Sequence, residues 1–119
     1  MGLSDRESSE LRRDLEELIA ELQSGLDGTA EAARPVELDQ PSMGRVSRID
    51  AIQQQKMLEA NRLAQRARLG LARGALRRHD EGEFGDCLGC GEAVGYARLK
   101  ARPESVFCIE CQTAREKHE

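Results

Sequence analysis

Four cysteines, Cys87, Cys90, Cys108 and Cys111, form two Cys-x-x-Cys pairs with seventeen residues between them. Each such turn can wrap one side of a zinc ion, so two of them supply four tetrahedral thiolates at about 2.3 Å. A site of this kind is closed. It leaves no coordination position for water and therefore cross-links a fold instead of running a reaction. A redox dithiol would need a strand leading into a helix, which neither pair has, and a cytosolic setting disfavours disulfides. Gly91 directly after the first pair lets backbone amides turn towards the sulfurs. With four thiolates saturating the ion, His79 and His118 are left outside the ligand set, and the expected cofactor is one structural zinc ion.

A second cluster, Arg98, Lys100 and Arg102, lies between the cysteine pairs. Three cations beside a metal site suit a phosphate or an acidic protein surface, and they equally suit an ordinary solvated loop. Elsewhere the types needed for catalysis are scattered. There is no Ser/His/Asp set, no phosphate-cradling glycine loop and no metal site with an open position, so the chain is not read as an enzyme.

The elements that must position these residues are helical. Ser4 followed by Glu7 makes a capping box, and Leu11, Leu15, Leu18, Leu22 and Leu26 then recur at spacings of four, three, four and four. That is the narrow apolar stripe of a coiled coil. Gly25 and Gly28 mark its end, and Pro35 and Pro41 forbid a continuous helix beyond it. A longer helix is expected from between Ser42 and Ser47 to about His79, with Ser47 and Asp50 as a second capping box. Its apolar face reads Val46, Ile49, Met57, Ala60, Leu63, Ala64, Ala67, Leu71 and Ala75, and its opposite face carries Arg62, Arg66, Arg73, Arg77 and Arg78. The surplus length at the C-terminal end of this helix is expected to pack on the zinc module. Within that module the expectation is a short strand over 93–96, a basic loop over 98–103 and a terminal helix over 113–118.

Charge supports the pairing of the two helices. Residues 1–34 carry nine acids and four bases, whereas residues 51–80 carry two acids and seven bases. An intramolecular coiled coil is favoured over a dimer built through the same helices, so a monomer is expected. The chain as a whole is acidic, at a net charge of −4, which argues against non-specific DNA binding. The Arg-rich face is read first as solvated, with a nucleic-acid contact as the rival, and bases would find few aromatic side chains to stack on. Two Phe, one Tyr and no Trp among 119 residues leave little for a large core, so metal and helix pairing must supply stability. No apolar run is long enough for a membrane span, and the polar N-terminus lacks a signal peptide's apolar core. A cytoplasmic location is expected.

The segment Glu83-Phe84-Gly85-Asp86-Cys87-Leu88-Gly89-Cys90-Gly91 resembles the DksA/TraR family of bacterial transcription regulators. The likeness continues through Arg98-Leu99-Lys100-Ala101-Arg102-Pro103 and Phe107-Cys108-Ile109-Glu110-Cys111-Gln112. The resemblance implies a protein that binds RNA polymerase without contacting DNA. It further implies a coiled coil that enters the polymerase's secondary channel, acidic residues at its tip, and a response to guanosine tetraphosphate. Two features depart from the family. The tip motif Asp-x-x-Asp-x-Ala is absent, which leaves Asp39 and Asp50 as candidate tip residues, and Gln112 stands where alarmone-responsive members carry a base. Arg102 does match the basic position of the Ala-Arg-Pro segment.

The expected fold is mainly α: an antiparallel two-helix coiled coil over 1–80, with its tip connection about 28–46, and a four-cysteine zinc module with a short C-terminal helix over 81–119. The leading function is a polymerase-binding transcription regulator. The alternatives are a zinc-stabilised adaptor for another protein and a nucleic-acid-binding zinc ribbon.

Overall fold

The computed structural model describes residues 2–33 and 45–117. Among these residues four helices follow one another: α1 (Asp5–Thr29), α2 (Arg45–Asp80), α3 (Tyr96–Ala101) and α4 (Ile109–Lys117). Helix α1 starts at the capping box, where the Glu7 amide donates to Ser4 Oγ at 3.1 Å and the Ser4 amide donates to Glu7 Oε1 at 3.0 Å. All five stripe leucines of α1 are buried.

Helices α1 and α2 run antiparallel, as their cross-links show. Arg12 pairs with Asp80, Arg73 Nη2 donates to Gln23 Oε1 at 2.8 Å, Arg62 Nη1 donates to the Leu26 carbonyl at 2.6 Å, and Gln55 reaches the Ala33 carbonyl. Along α2 the residues facing α1 are Leu58, Arg62, Gln65, Leu69, Ala72 and Leu76, all buried or half-buried. They step by four and three, which is a heptad repeat.

This seam is not the face that the sequence picks out. Met57, Leu63 and Leu71, expected in the core, are 67%, 68% and 46% exposed, and Ile49 is 49% exposed. Arg62, expected on the solvated face, is buried. The physical reason is that α2 carries two rows at heptad spacing. The row richer in apolar residues faces outward, and the row that pairs with α1 is interrupted by Arg62 and Gln65. The capping box at Ser47 is likewise corrected, because α2 begins at Arg45 and Ser47 lies inside its first turn. The surplus of α2 also lies at the other end. Thr29, the last residue of α1, is level with Arg62, so α2 runs on past α1 through its N-terminal half, while His79 is level with Ser8.

Two apolar clusters hold the molecule. One runs along the hairpin through Leu15, Leu18, Leu22 and Leu26 against Leu69, Ala72 and Ala75. The other joins Leu11 to Cys87, Val94 and Leu99, and Phe84 packs against both. The four-cysteine module is thus seated on the first turns of α1. Its backbone departs from expectation. Only a single bridge, Asp86 to Ala93, forms where a strand was expected. The basic segment is helix α3, entered through Gly95 at φ +102, a conformation that costs glycine nothing. Helix α4 begins at Ile109, so the second cysteine pair sits at the start of a helix. Among the described residues no helix is long and apolar enough to cross a membrane.

Candidate metal centre and the surfaces beside it

The four Sγ atoms of Cys87, Cys90, Cys108 and Cys111 lie within 4.8 Å of one another. The Cys90 and Cys108 sulfurs are 3.8 Å apart, and a tetrahedron with arms of about 2.3 Å has an edge of about 3.8 Å. The donor set therefore fits zinc in both chemistry and size. The amides around it point inward. Gly89 and Cys108 each donate to Cys87 Sγ at 3.3 Å, and Cys111 donates to Cys108 Sγ at 3.4 Å. N–H donors aimed at sulfur favour the thiolate form.

Local sequence explains the turns. Gly91 takes φ +80 and its amide closes the first pair on the Cys87 carbonyl at 2.9 Å. A Cβ at Gly89 would lie 3.1 Å from Cys111 Sγ and 3.4 Å from the Phe107 ring, so a side chain there would crowd the second cysteine pair. The second pair opens α4, where the Gln112 amide bonds the Cys108 carbonyl at 2.9 Å.

The thiols sense one another. Burial pushes Cys87 up, but the backbone of Cys108, Cys90 and Gly89 outweighs it and holds the group down at about 6. Hydrogen bonds with Cys108, Cys87 and Cys90 push Cys111 up to about 12. Four thiols this close do not all ionise unaided, and a dication supplies the missing charge. The site is that of one structural zinc, which would contribute cross-linking and no open coordination position.

The three basic residues between the cysteine pairs separate. Lys100 turns to α1, with Nζ 2.6 Å from Glu10 Oε1 and 2.9 Å from Asp14 Oδ2. Tyr96 donates to the same Glu10 at 2.7 Å. Hydrogen bonds from Lys100 and Tyr96 hold the Glu10 carboxyl below its usual range, and the two carboxylates raise the Lys100 ammonium. Arg98 Nε is bonded to the Phe107 carbonyl at 2.9 Å and thereby fixes the approach to the second cysteine pair. Arg102 lines a groove of about 780 Å³ between α2 and the cysteine module, shared with Leu71, Arg98, Val106 and Arg115. Of the candidate tip residues, Asp50 is exposed in the second turn of α2, and Asp39 lies outside the described residues.

Other functional geometry escaped the sequence. Glu104 is buried and accepts from Arg68 Nε at 3.0 Å, which ties α2 to the cysteine module. Its Oε2 has no partner among the described residues. The Arg115 guanidinium lies 4.5 Å above the Phe107 ring. A buried acid between Pro103 and Ser105 has no sequence signal. A base one helical turn past Cys111 was the only pointer to the stacking.

Residues 82–117 match the family model described as the prokaryotic dksA/traR C4-type zinc finger. The chain is 39% identical over 56 residues to the RNA polymerase-binding transcription factor DksA of Haemophilus influenzae, covering 47% of this chain and 39% of that protein. It is 44% identical over 45 residues to the protein of the same name from Caulobacter vibrioides, covering 38% and 32%. The matched stretch thus spans about two fifths or less of these relatives. The whole architecture is similar to the transcription factor DksA2 from Pseudomonas aeruginosa, with a TM-score of 0.76 and 26% identity over 97% of this chain and 87% of that one.

Proposed function

The chain belongs to the DksA/TraR C4-type zinc-finger family, and from that premise we propose that it binds RNA polymerase and regulates transcription. The observation that carries this reading is the likeness of nearly the whole chain, hairpin included, to a transcription factor. In this proposal residues 81–119 form a base in which Cys87, Cys90, Cys108 and Cys111 hold the zinc, and residues 1–80 form the rod. The rod enters the secondary channel of the polymerase and brings Asp39 or Asp50 towards the catalytic centre. The protein works by binding and not by catalysis, as a cytoplasmic monomer, and makes no direct DNA contact. Guanosine tetraphosphate would be taken near Arg102, where Arg68, Arg98 and Arg115 share the groove.

The test is binding of the zinc-loaded chain to purified core RNA polymerase, competed by a secondary-channel factor. Micromolar, competable binding is expected, and its absence would sink the polymerase reading. Asp39→Asn and Asp50→Asn, made separately, should leave binding intact, and the working tip position should lose its transcriptional effect. One observation favours a second reading. The tip motif Asp-x-x-Asp-x-Ala is missing from this sequence, as it would be in an adaptor that kept the scaffold for another protein. Steeply salt-dependent DNA binding would instead favour the zinc-ribbon alternative.

A further inference from the structure

Helix α1 ends without the devices that usually close a helix. No residue of its last turn is basic, and its cap residue, Ala30, keeps the right-handed conformation at φ −56 and ψ −44. Among the described residues no glycine near that end takes a positive φ, so the left-handed turn that satisfies terminal carbonyls is missing. The Thr29 hydroxyl donates to the Gly25 carbonyl at 3.0 Å and accounts for one of them. The next is met from the other helix. Arg62 of α2 donates through Nη1 to the Leu26 carbonyl at 2.6 Å and to Thr29 Oγ1.

That arginine is buried, and among the described residues no carboxylate pairs with it. A buried guanidinium without an anion is unfavourable. What offsets it is the end of α1, whose free carbonyls form the negative pole of the helix dipole. An apolar side chain at this seam position, between Leu58 and Leu69, would pack without any such penalty. Stability alone therefore does not call for an arginine here. What the arginine supplies is a fixed point, the level on α2 at which α1 stops. The first residues beyond α1 follow from it, because the Ala33 amide donates to the Thr29 carbonyl at 3.0 Å and Gln55 of α2 reaches the Ala33 carbonyl.

We infer that Arg62 is a positioning residue of the rod: from inside the hairpin it sets where α1 ends against α2 and how the chain leaves, and the transcriptional effect depends on it. This inference rests on the polymerase reading above and deepens it, by assigning the alignment of the far half to one side chain. The test compares Arg62→Leu with wild type, both as full zinc-loaded chains. Thermal melting, affinity for purified core RNA polymerase and effect on a purified transcription reaction at saturating protein are measured. Leucine continues the apolar seam, so the variant should melt no lower than wild type. It should bind polymerase within about threefold of wild type and lose at least about tenfold of the saturating effect. Amide exchange at residues 29–33 should accelerate while that of the first turns of α1 stays unchanged.

The effect at saturation separates positioning from folding, because a shortage of folded chain is overcome by adding more protein. If Arg62→Leu reaches the wild-type effect at saturation, whatever its melting temperature, Arg62 is structural only and the inference falls. Failure of wild type to bind polymerase removes the polymerase reading, and shows before the variant is made. The exchange measurement then stands alone, and unchanged protection at residues 29–33 would show that Arg62 does not fix the end of α1.

Discussion

The two ends of the hairpin are built differently. At the base, Leu11, Leu15 and Leu18 close against Leu69, Ala72, Ala75 and the cysteine module in continuous apolar layers. Towards the far end the layers turn polar. Arg62 donates to the Leu26 carbonyl and to Thr29 Oγ1, Gln65 lies near Gly25, and Gln55 reaches the Ala33 carbonyl. Apolar layers contribute most of a helix pair's stability, whereas buried polar ones specify register and partner at a cost. The base is thus the stable half, and the far half is the one whose alignment is specified by hydrogen bonds.

Removing zinc should test this contrast most severely. Chelation takes away the cross-link that holds Cys87 beside Leu11, so the module and α4 should unfold and the first turns of α1 should fray. Circular dichroism and hydrogen exchange with and without a strong chelator would read this. Full retention of structure in the zinc-free chain would show the base to be stable through packing alone. Next in size comes Leu15→Ala at a fully buried position, expected to cost about 2–5 kcal/mol. Leu63→Ala on the outer face should change stability by less than about 0.5 kcal/mol. Equal losses in denaturant titrations would mean that Leu63 is packed as tightly as the seam and that the outer face of α2 had been misassigned.

Arg62→Ala should cost about 1–3 kcal/mol, because it removes the buried donor shared by the Leu26 carbonyl and Thr29 Oγ1. Its hydrogen-exchange signature should be confined to the far half. Acceleration at Leu11 or Leu99 as well would erase the distinction between the halves.

The smallest effect concerns the link between Lys100 and α1. The Glu10 carboxyl is lowered from 4.5, so its contribution is present above that value and is lost as pH falls through its folded value. The Lys100 ammonium is raised from 10.5, so its contribution is present below that value and is lost as pH rises through its folded value. The melting difference between wild type and Lys100→Met should therefore be flat between about pH 5 and 10 and should shrink outside that window. A difference that grew on acidification would show that Lys100 acts by some other route.

The same contrast explains how much the sequence discloses. The base was legible because its signals are local: a capping box, one leucine row and a Cys-x-x-Cys frame each name their own structure. The α2 seam was not, because Arg62 and Gln65 occupy it while Leu63 and Leu71 stand outside, and hydropathy alone ranks those residues in the opposite order. Only the acceptors at the end of α1, the Leu26 carbonyl and the hydroxyl of Thr29, make a buried arginine affordable there. Of the candidate site, the four cysteines were legible from spacing. Lys100 was not, since its carboxylate partners lie some 90 residues earlier in the chain. Nor was helix α3, whose entry depends on the backbone geometry of Gly95.

Lys100, Tyr96, Glu10 and Asp14 form a bracket between α3 and the first turns of α1. The hairpin of α1 and α2 extends along α2 for about 54 Å, so it acts as a lever whose fulcrum is that bracket. A tilt of about one degree at the fulcrum displaces the far end by about 1 Å, comparable to the tolerance of a hydrogen bond. Two exposed ion pairs and a phenol thereby set the aim of residues that they never touch.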